Sequence, residues 1–231
     1  MQSIDETQRE ITDYAKGLVG HMRLGAAATI TEFLLPEALS RLIESTPGVS
    51  LSLSIGMSDV LLEGLRRDDL DMVIGPATES ADLDCVPIVE DQVVVVASRH
   101  HALANQVTKI DQLRHFQWAL PAKSVATRKW LEHTFEELGL PAPAIQIETN
   151  SLALLPRLLA RTQLLSFVSR RNLSAYKEAS PLVEIPFKET TLHRHFGLLT
   201  RKNGYLPPAC EELISLLKEK GSEIFRETKS Y

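Results

Sequence analysis

The stretch LSLSIGMSDVLLEGLRRDDLDMVIG, from Leu51 to Gly75, constrains the fold more than any other part of the chain. LSLSI stops at Gly56, leucines at helical spacing follow from Ser58, and a second apolar run begins just past the polar turn RRDD. A strand, a helix of about ten residues and a strand in such close succession share a sheet when the strands are parallel and the helix packs on one face.

The alternation continues along the chain. HMRLGAA, ending at Ala27, reads as a strand. A helix with Leu35, Leu39, Leu42 and Ile43 on one face follows, either starting near Thr31 and bending at Pro36 or starting at Pro36, and Thr46-Pro47-Gly48 ends it. DQVVVVAS, Asp91 to Ser98, is continuously apolar after its first residues, as in a strand covered on both faces. Then the pattern restarts: WALPAKS, a helix from Ala126 to Leu138 closed by Gly139 and Pro141, the strand AIQIETN, and a helix from Ser151 to Ala160. QLLSFVS, HFGLLTR ending at Arg201, and a helix from Pro207 to Lys220 complete it. The expected class is α/β, in two similar halves. Arg9 to Val19 reads as a polar helical arm.

Four strand-to-helix junctions carry small or polar residues: Ala27-Ala28-Thr29, Gly56-Met57-Ser58, Lys123-Ser124-Val125 and Thr149-Asn150-Ser151. Ligands of parallel α/β sheets lie outside the carboxyl ends of the strands, so these hydroxyl and amide groups together suit a carboxylate. Taken singly, each is also what a helix cap requires. At Gly56 a side chain is expected to impede the turn or a ligand's approach to the backbone.

Composition removes several classes. At 44% hydrophobic and 24% charged residues, with a net charge of −5, the chain is that of a globular protein without the basic footprint of a nucleic-acid binder. No apolar run suits a signal peptide or a membrane span, so a cytoplasmic location is expected. Cys85 and Cys210 read as buried free thiols. No GxSxG, GxGxxG, P-loop or HExxH motif occurs, and His100-His101 and His193-x-His195 lack an evident third metal ligand, so neither catalysis, cofactor nor metal is expected. Arg66-Arg67-Asp68-Asp69 reads as a solvated turn, and Asn172-Leu173-Ser174 as a chance glycosylation sequon.

In order and spacing, MRLGAAATITEFLLPEALSRLIESTPGVSLSL, the Gly56–Gly75 unit, VPIVEDQVVVVASRHHALA, TNSLALLPRLLA and LLTRKNGYLPPACEELISLLKE resemble the effector-binding domain of LysR-type transcriptional regulators. The resemblance runs from His21 to about Lys220. It implies a type II periplasmic-binding-protein-like fold: two Rossmann-like subdomains joined by two crossover strands, with a small effector in the cleft between them. Subdomain I would comprise 21–97 and 197–225, subdomain II 98–196, and residues 1–20 the remnant of a linker helix. The ligand contacts it implies are Ala28, Thr29, Ile30, Met57, Ser58, Gly75, Pro76, Ala77, Ser124, Phe167 and Val168. Thr29, Ser58 and Ser124 are reached from the junctions as well. ARTQLLSFVSRR lacks the glycine-rich turn that family members often carry there, and Phe167 is expected to line the site or to fill the core. Pro76 brings no charge, so an anion would depend on N–H and hydroxyl groups unless Arg128 or Arg99 reaches in.

The resemblance further implies a homodimer or homotetramer, built through the Glu37–Glu44 helix with its neighbouring strand and the Ala126–Leu138 helix. DNA would be bound only through an N-terminal winged helix-turn-helix that this stretch does not include, and no membrane is involved. Two rivals stay open: a solute-binding protein of a transport system, and an enzyme with dispersed catalytic residues.

Overall fold

The computed structural model describes residues 21–104, 109–151, 153–174 and 180–227. The arm expected at Arg9 to Val19 lies outside them. In chain order the first elements are β1 (His21–Ala26), α1 (Ala28–Phe33), α2 (Leu35–Ser45), β2 (Ser50–Ile55), α3 (Ser58–Arg66), β3 (Met72–Pro76) and β4 (Leu83–Ser98). A 3-10 helix (Ile110–His115) leads to β5 (Gln117–Leu120), α4 (Ala126–Glu137), β6 (Ala144–Glu148), α5 (Leu155–Leu159) and β7 (Leu165–Ser169). Then come α6 (Arg171–Ser174), β8 (Leu182–Glu184), β9 (Leu192–Arg201) and α7 (Pro208–Glu227). Two compact units result, and the chain crosses from one to the other after Glu90 and returns after Arg194.

In the first unit β1 runs parallel to β2 and to β3, with Leu24 opposite both Leu53 and Met72. This is the β-α-β unit that the Leu51–Gly75 stretch demands. β9 then lies antiparallel to β3, with Gly75 opposite Gly197. A Cβ at Gly197 would stand 2.7 Å from Cys85 Sγ and 3.1 Å from the Val86 carbonyl oxygen, so β9 and the first half of β4 approach closely because that residue is glycine. Met22, Leu24, Ile30, Phe33, Leu65 and Leu213 are buried in this unit. Each such side chain contributes about 1.5–3 kcal/mol.

Of the two expected starts of the first long helix, the one at Pro36 holds to within a residue and the one near Thr31 does not, because the segment forms two helices. The break is Leu34, at φ −123° and ψ −48°, with Pro36 in the first turn of α2, where its missing N–H costs nothing. The RRDD turn is only partly solvated, contrary to its expected character. Asp68 adopts the left-handed conformation at φ 64°, and its carboxylate lies 2.9 Å from Arg23 Nη2 and 2.7 Å from Arg201 Nη2. Arg23 also donates from Nη2 to Asp71 Oδ1 at 2.6 Å, and Asp71 Oδ2 accepts the Arg23 N–H at 2.8 Å. Arg201 Nη1 donates to the carbonyls of Leu65 and Leu70 at 2.9 and 2.8 Å. Two arginines thus bind the turn onto the sheet.

In the second unit β4 is antiparallel to β7 and to β8, while β5 is parallel to β6 and β7. Val93 to Ser98 are all buried, as an unbroken β-branched run requires. Trp118 packs edge-on against Phe135 at 5.7 Å in the core beneath α4. The helix expected at Ser151 begins only at Leu155. Thr149 Oγ1 accepts the Ser151 N–H and Ser151 Oγ accepts the Leu154 N–H, so local side-chain bonds stabilise a turn instead. Both cysteines are free, but only Cys210 is buried and Cys85 is half-buried. No helix among the described residues is long and apolar enough to cross a membrane.

Candidate functional site

The carboxyl ends of β1, β2 and β3 meet at one edge of the first unit. Ala26 is in register with Ile55 and with Ile74. Ala27 N–H donates to the Ile74 carbonyl at 2.9 Å and Gly56 N–H to the Ala26 carbonyl at 3.4 Å. Past Pro76 the edge is fixed by Ala77 N–H, which donates to the His195 carbonyl at 2.9 Å. Ala28, Thr29, Ile30, Met57, Ser58, Gly75, Pro76 and Ala77 therefore converge. Ile30, Thr29 and Gly75 are buried, Ala28, Met57, Ser58 and Pro76 are half-buried, and Ala77 is exposed.

Thr29, Ser58 and Ser124 do not occupy the capping positions of the helices beside them. The capping positions of α1, α3 and α4 are Ala27, Met57 and Val125, none with a side-chain cap bond, and Ser58 is already the first helical residue. Ordinary helix-capping therefore does not account for Ser58. Gly56 is likewise free of the demand placed on it. Its φ lies outside the left-handed region, and a Cβ would meet only the Leu61 side chain at 3.6 Å, ordinary van der Waals contact, so the turn itself accepts a side chain.

In the second unit, Ser124 sits exposed at the β5–α4 junction beside the Thr149–Ser151 turn. Thr149 N–H donates to the Leu120 carbonyl at 2.9 Å, and Asn150 Oδ1 accepts the Ala122 N–H at 3.2 Å. Phe167 and Val168 follow Ser166, which lies opposite Ala119 in the parallel β5–β7 pair, so they end β7 beside the end of β5, and both are buried. Phe167 is 4% exposed and stacks on Trp130 at 5.7 Å, with ring planes 4° apart, so its side chain fills the core.

Neither arginine named as a reserve for an anion is idle. Arg128 Nε donates to Glu132 Oε1 at 2.9 Å, and its Nη1 donates to Glu148 Oε2 at 2.8 Å and to the Pro121 carbonyl at 2.9 Å. Arg99 Nη2 donates to the Ser180 carbonyl. Sequence reasoning missed these structural arginines, although a lone arginine in an apolar strand, as Arg23 is in HMRLGAA, signals a charge that must find a partner. His101 is buried, and so is Asn172 of the sequon. No group of three or more His, Cys, Asp or Glu side chains suited to a metal exists among the described residues.

Parallel strands ending at a shared edge, on a chain that crosses twice between two α/β units, are the architecture of the periplasmic-binding-protein type. The chain belongs to the LysR substrate binding domain family, whose model matches residues 15–222. It is 28% identical to the HTH-type transcriptional regulator GalR of Pseudomonas putida over 87% of this chain and 52% of that protein. It is 25% identical to the HTH-type transcriptional regulator CysL of Bacillus subtilis over 87% of this chain and 73% of that protein. The chain thus spans about half the length of the first relative and about three quarters of the second. Among solved structures, the Synechocystis CcmR regulatory domain in complex with 2-PG superposes with a TM-score of 0.78 at 20% identity, over 86% of this chain and 96% of that one. The effector-binding domain of QuiR in complex with shikimate gives 0.75 at 18% identity, over 88% and 97%. These solved domains share the type II periplasmic-binding-protein-like fold, and the relatives are transcriptional regulators rather than transport proteins. The effector-binding domains of this family are not enzymes.

Proposed function

We propose that this chain binds a small organic acid at the strand-to-helix junctions of its units and thereby controls DNA binding or transcription by the intact regulator in the cytoplasm. The observation that carries this reading is the convergence of Thr29, Ser58 and the Gly75–Ala77 strand end at one sheet edge, with Ser58 unused as a cap. The complexes of related domains with 2-PG and shikimate support a small-molecule effector. The two units, divided after Glu90 and after Arg194, act as the two effector-binding subdomains. An effector shifts the regulator only by its differential affinity for two arrangements, so sensing requires no chemistry. The intact protein works as a homodimer or homotetramer, in which the exposed faces of α2, β2 and α4 take part.

The test is thermal stabilisation of the chain across small carboxylates, sugars and amino acids, with Ser58→Ala alongside. A ligand at a hundredfold excess over its Kd adds about 2.7 kcal/mol to the native state. A hit weakened by Ser58→Ala supports the junction site, whereas a hit indifferent to it moves the site elsewhere.

A further inference from the structure

The end of β7 brings together Arg170, Arg171, Arg194, Asp91 and Glu184, all within the second unit. Arg170 is committed to Glu184, with Nε 2.9 Å from Oε2 and Nη2 2.7 Å from Oε1. Asp91, whose side chain is 1% exposed, takes Arg194 on Oδ2, with Nε at 2.8 Å and Nη2 at 2.6 Å. Its Oδ1 accepts the Ser169 hydroxyl at 2.6 Å. Arg171 N–H in turn donates to Ser169 Oγ at 3.2 Å, which sets the half-buried Arg171 just beyond the strand end.

Arg171 is drawn to Asp91 as well, so one buried carboxylate serves two guanidiniums. Burial lowers the pKa of Arg171 below the ordinary arginine value, and the pull of Asp91 offsets only part of that effect. Arg23, Arg128 and Arg170, which hold carboxylates by direct hydrogen bonds, are shifted the other way. A cation kept partly desolvated at such a cost is what a binding site for an anion requires, because the incoming charge offsets the desolvation.

We propose that Arg171 is a specificity-determining residue of the second unit, where it binds the effector's carboxylate and favours organic anions over uncharged compounds of the same shape. The inference rests on the effector-binding reading above and adds to it the residue that reads charge. Phe167 and Val168 precede Arg171 on the same strand, which ends beside the end of β5. A guanidinium suits this task because its planar fork donates two parallel bonds to a carboxylate.

The experiment follows the arginine Nε–H resonances of the isotope-labelled chain during titration with shikimate, benzoate and acetate at constant ionic strength. Acetamide serves as the uncharged counterpart of acetate, and the Arg171 resonance is assigned by its loss in Arg171→Lys. Support is a saturable shift of that resonance with a carboxylate and none with acetamide, together with affinity roughly tenfold or more weaker in Arg171→Met than in the wild type. Arg171→Lys, which keeps the charge, should weaken binding less. Without ligand, Arg171→Met should melt at or above the wild type, because it removes a charge that is costly to bury. Melting clearly below the wild type would make Arg171 a structural partner of Asp91 and overturn the proposal. Carboxylates that shift other resonances but leave Arg171 unmoved, or an equal response to acetamide, overturn it and leave the sensor reading standing. No shift of any resonance with any of the carboxylates overturns both.

Discussion

His101 shows how burial fixes the chemistry of a single side chain. Only 3% exposed, it packs its ring against Phe116 at 4.5 Å. Leu103 N–H donates to Nδ1 at 3.0 Å, and Nε2 faces the Gln163 carbonyl at 3.2 Å, so the neutral ring with its hydrogen on Nε2 satisfies both contacts. Burial lowers its pKa below 6.5, against a smaller opposing pull from the Gln163 carbonyl. Between the lowered folded value and 6.5 the unfolded chain therefore binds more protons than the folded one. The stabilising contribution is complete above 6.5 and is lost as the pH falls through that window. Urea unfolding should show stability falling as the pH drops below 6.5, with a shallower fall in His101→Gln. An unchanged slope in the variant would assign the acid sensitivity to other groups.

At the scale of elements, the strands and helices were legible wherever a period was clean, and the connections were not. The Leu51–Gly75 unit could be read because LSLSI, the leucine spacing of α3 and MVIG each satisfy one period. The interior of β4 could not be divided in the same way. It is one strand of 16 residues, and nothing in its composition marks the passage after Glu90, whereas a break at Ser98 looks natural because the apolar run ends there. The β5–α4 junction was legible as a place, through Ser124, but its brace was not, since Arg128, Glu148 and Asn150 meet only in three dimensions. The α3–β3 turn failed for the same reason: RRDD is polar whether it faces water or two arginines. Its dependence on Arg23 can be measured. Asp71 has a side chain 1% exposed, and Arg23→Met would leave its carboxylate buried without that partner. Loss of such a pair costs about 3 kcal/mol, so the variant should unfold at clearly lower denaturant than the wild type. A cost below about 0.5 kcal/mol, the scale of a surface substitution, would mean that the turn holds itself.

At the scale of the whole molecule, the first unit leaves uncovered a surface that an isolated domain has reason to hide. β2 is an edge strand with the sequence SLSLSI, exposed along nearly all its length, and it carries no lysine, proline or bulge of the kind that protects edges. Ile55 on this strand is 61% exposed and Ile43 on α2 is 64% exposed. Apolar side chains so placed stabilise the folded monomer little, and they suit a surface that a second copy covers. Self-association through α2 and β2 makes a prediction that separates assembly from folding. Ile43→Asp should change unfolding stability by no more than about 0.5 kcal/mol, since the side chain is mostly in water already. In sedimentation it should shift the chain from dimer or larger toward monomer, because a carboxylate buried in an interface without a partner is costly. A wild type that sediments as a monomer at every concentration would refute assembly through this chain alone. A variant that stays as associated as the wild type would move the interface away from α2, and loss of both stability and association would return Ile43 to the monomer's own core.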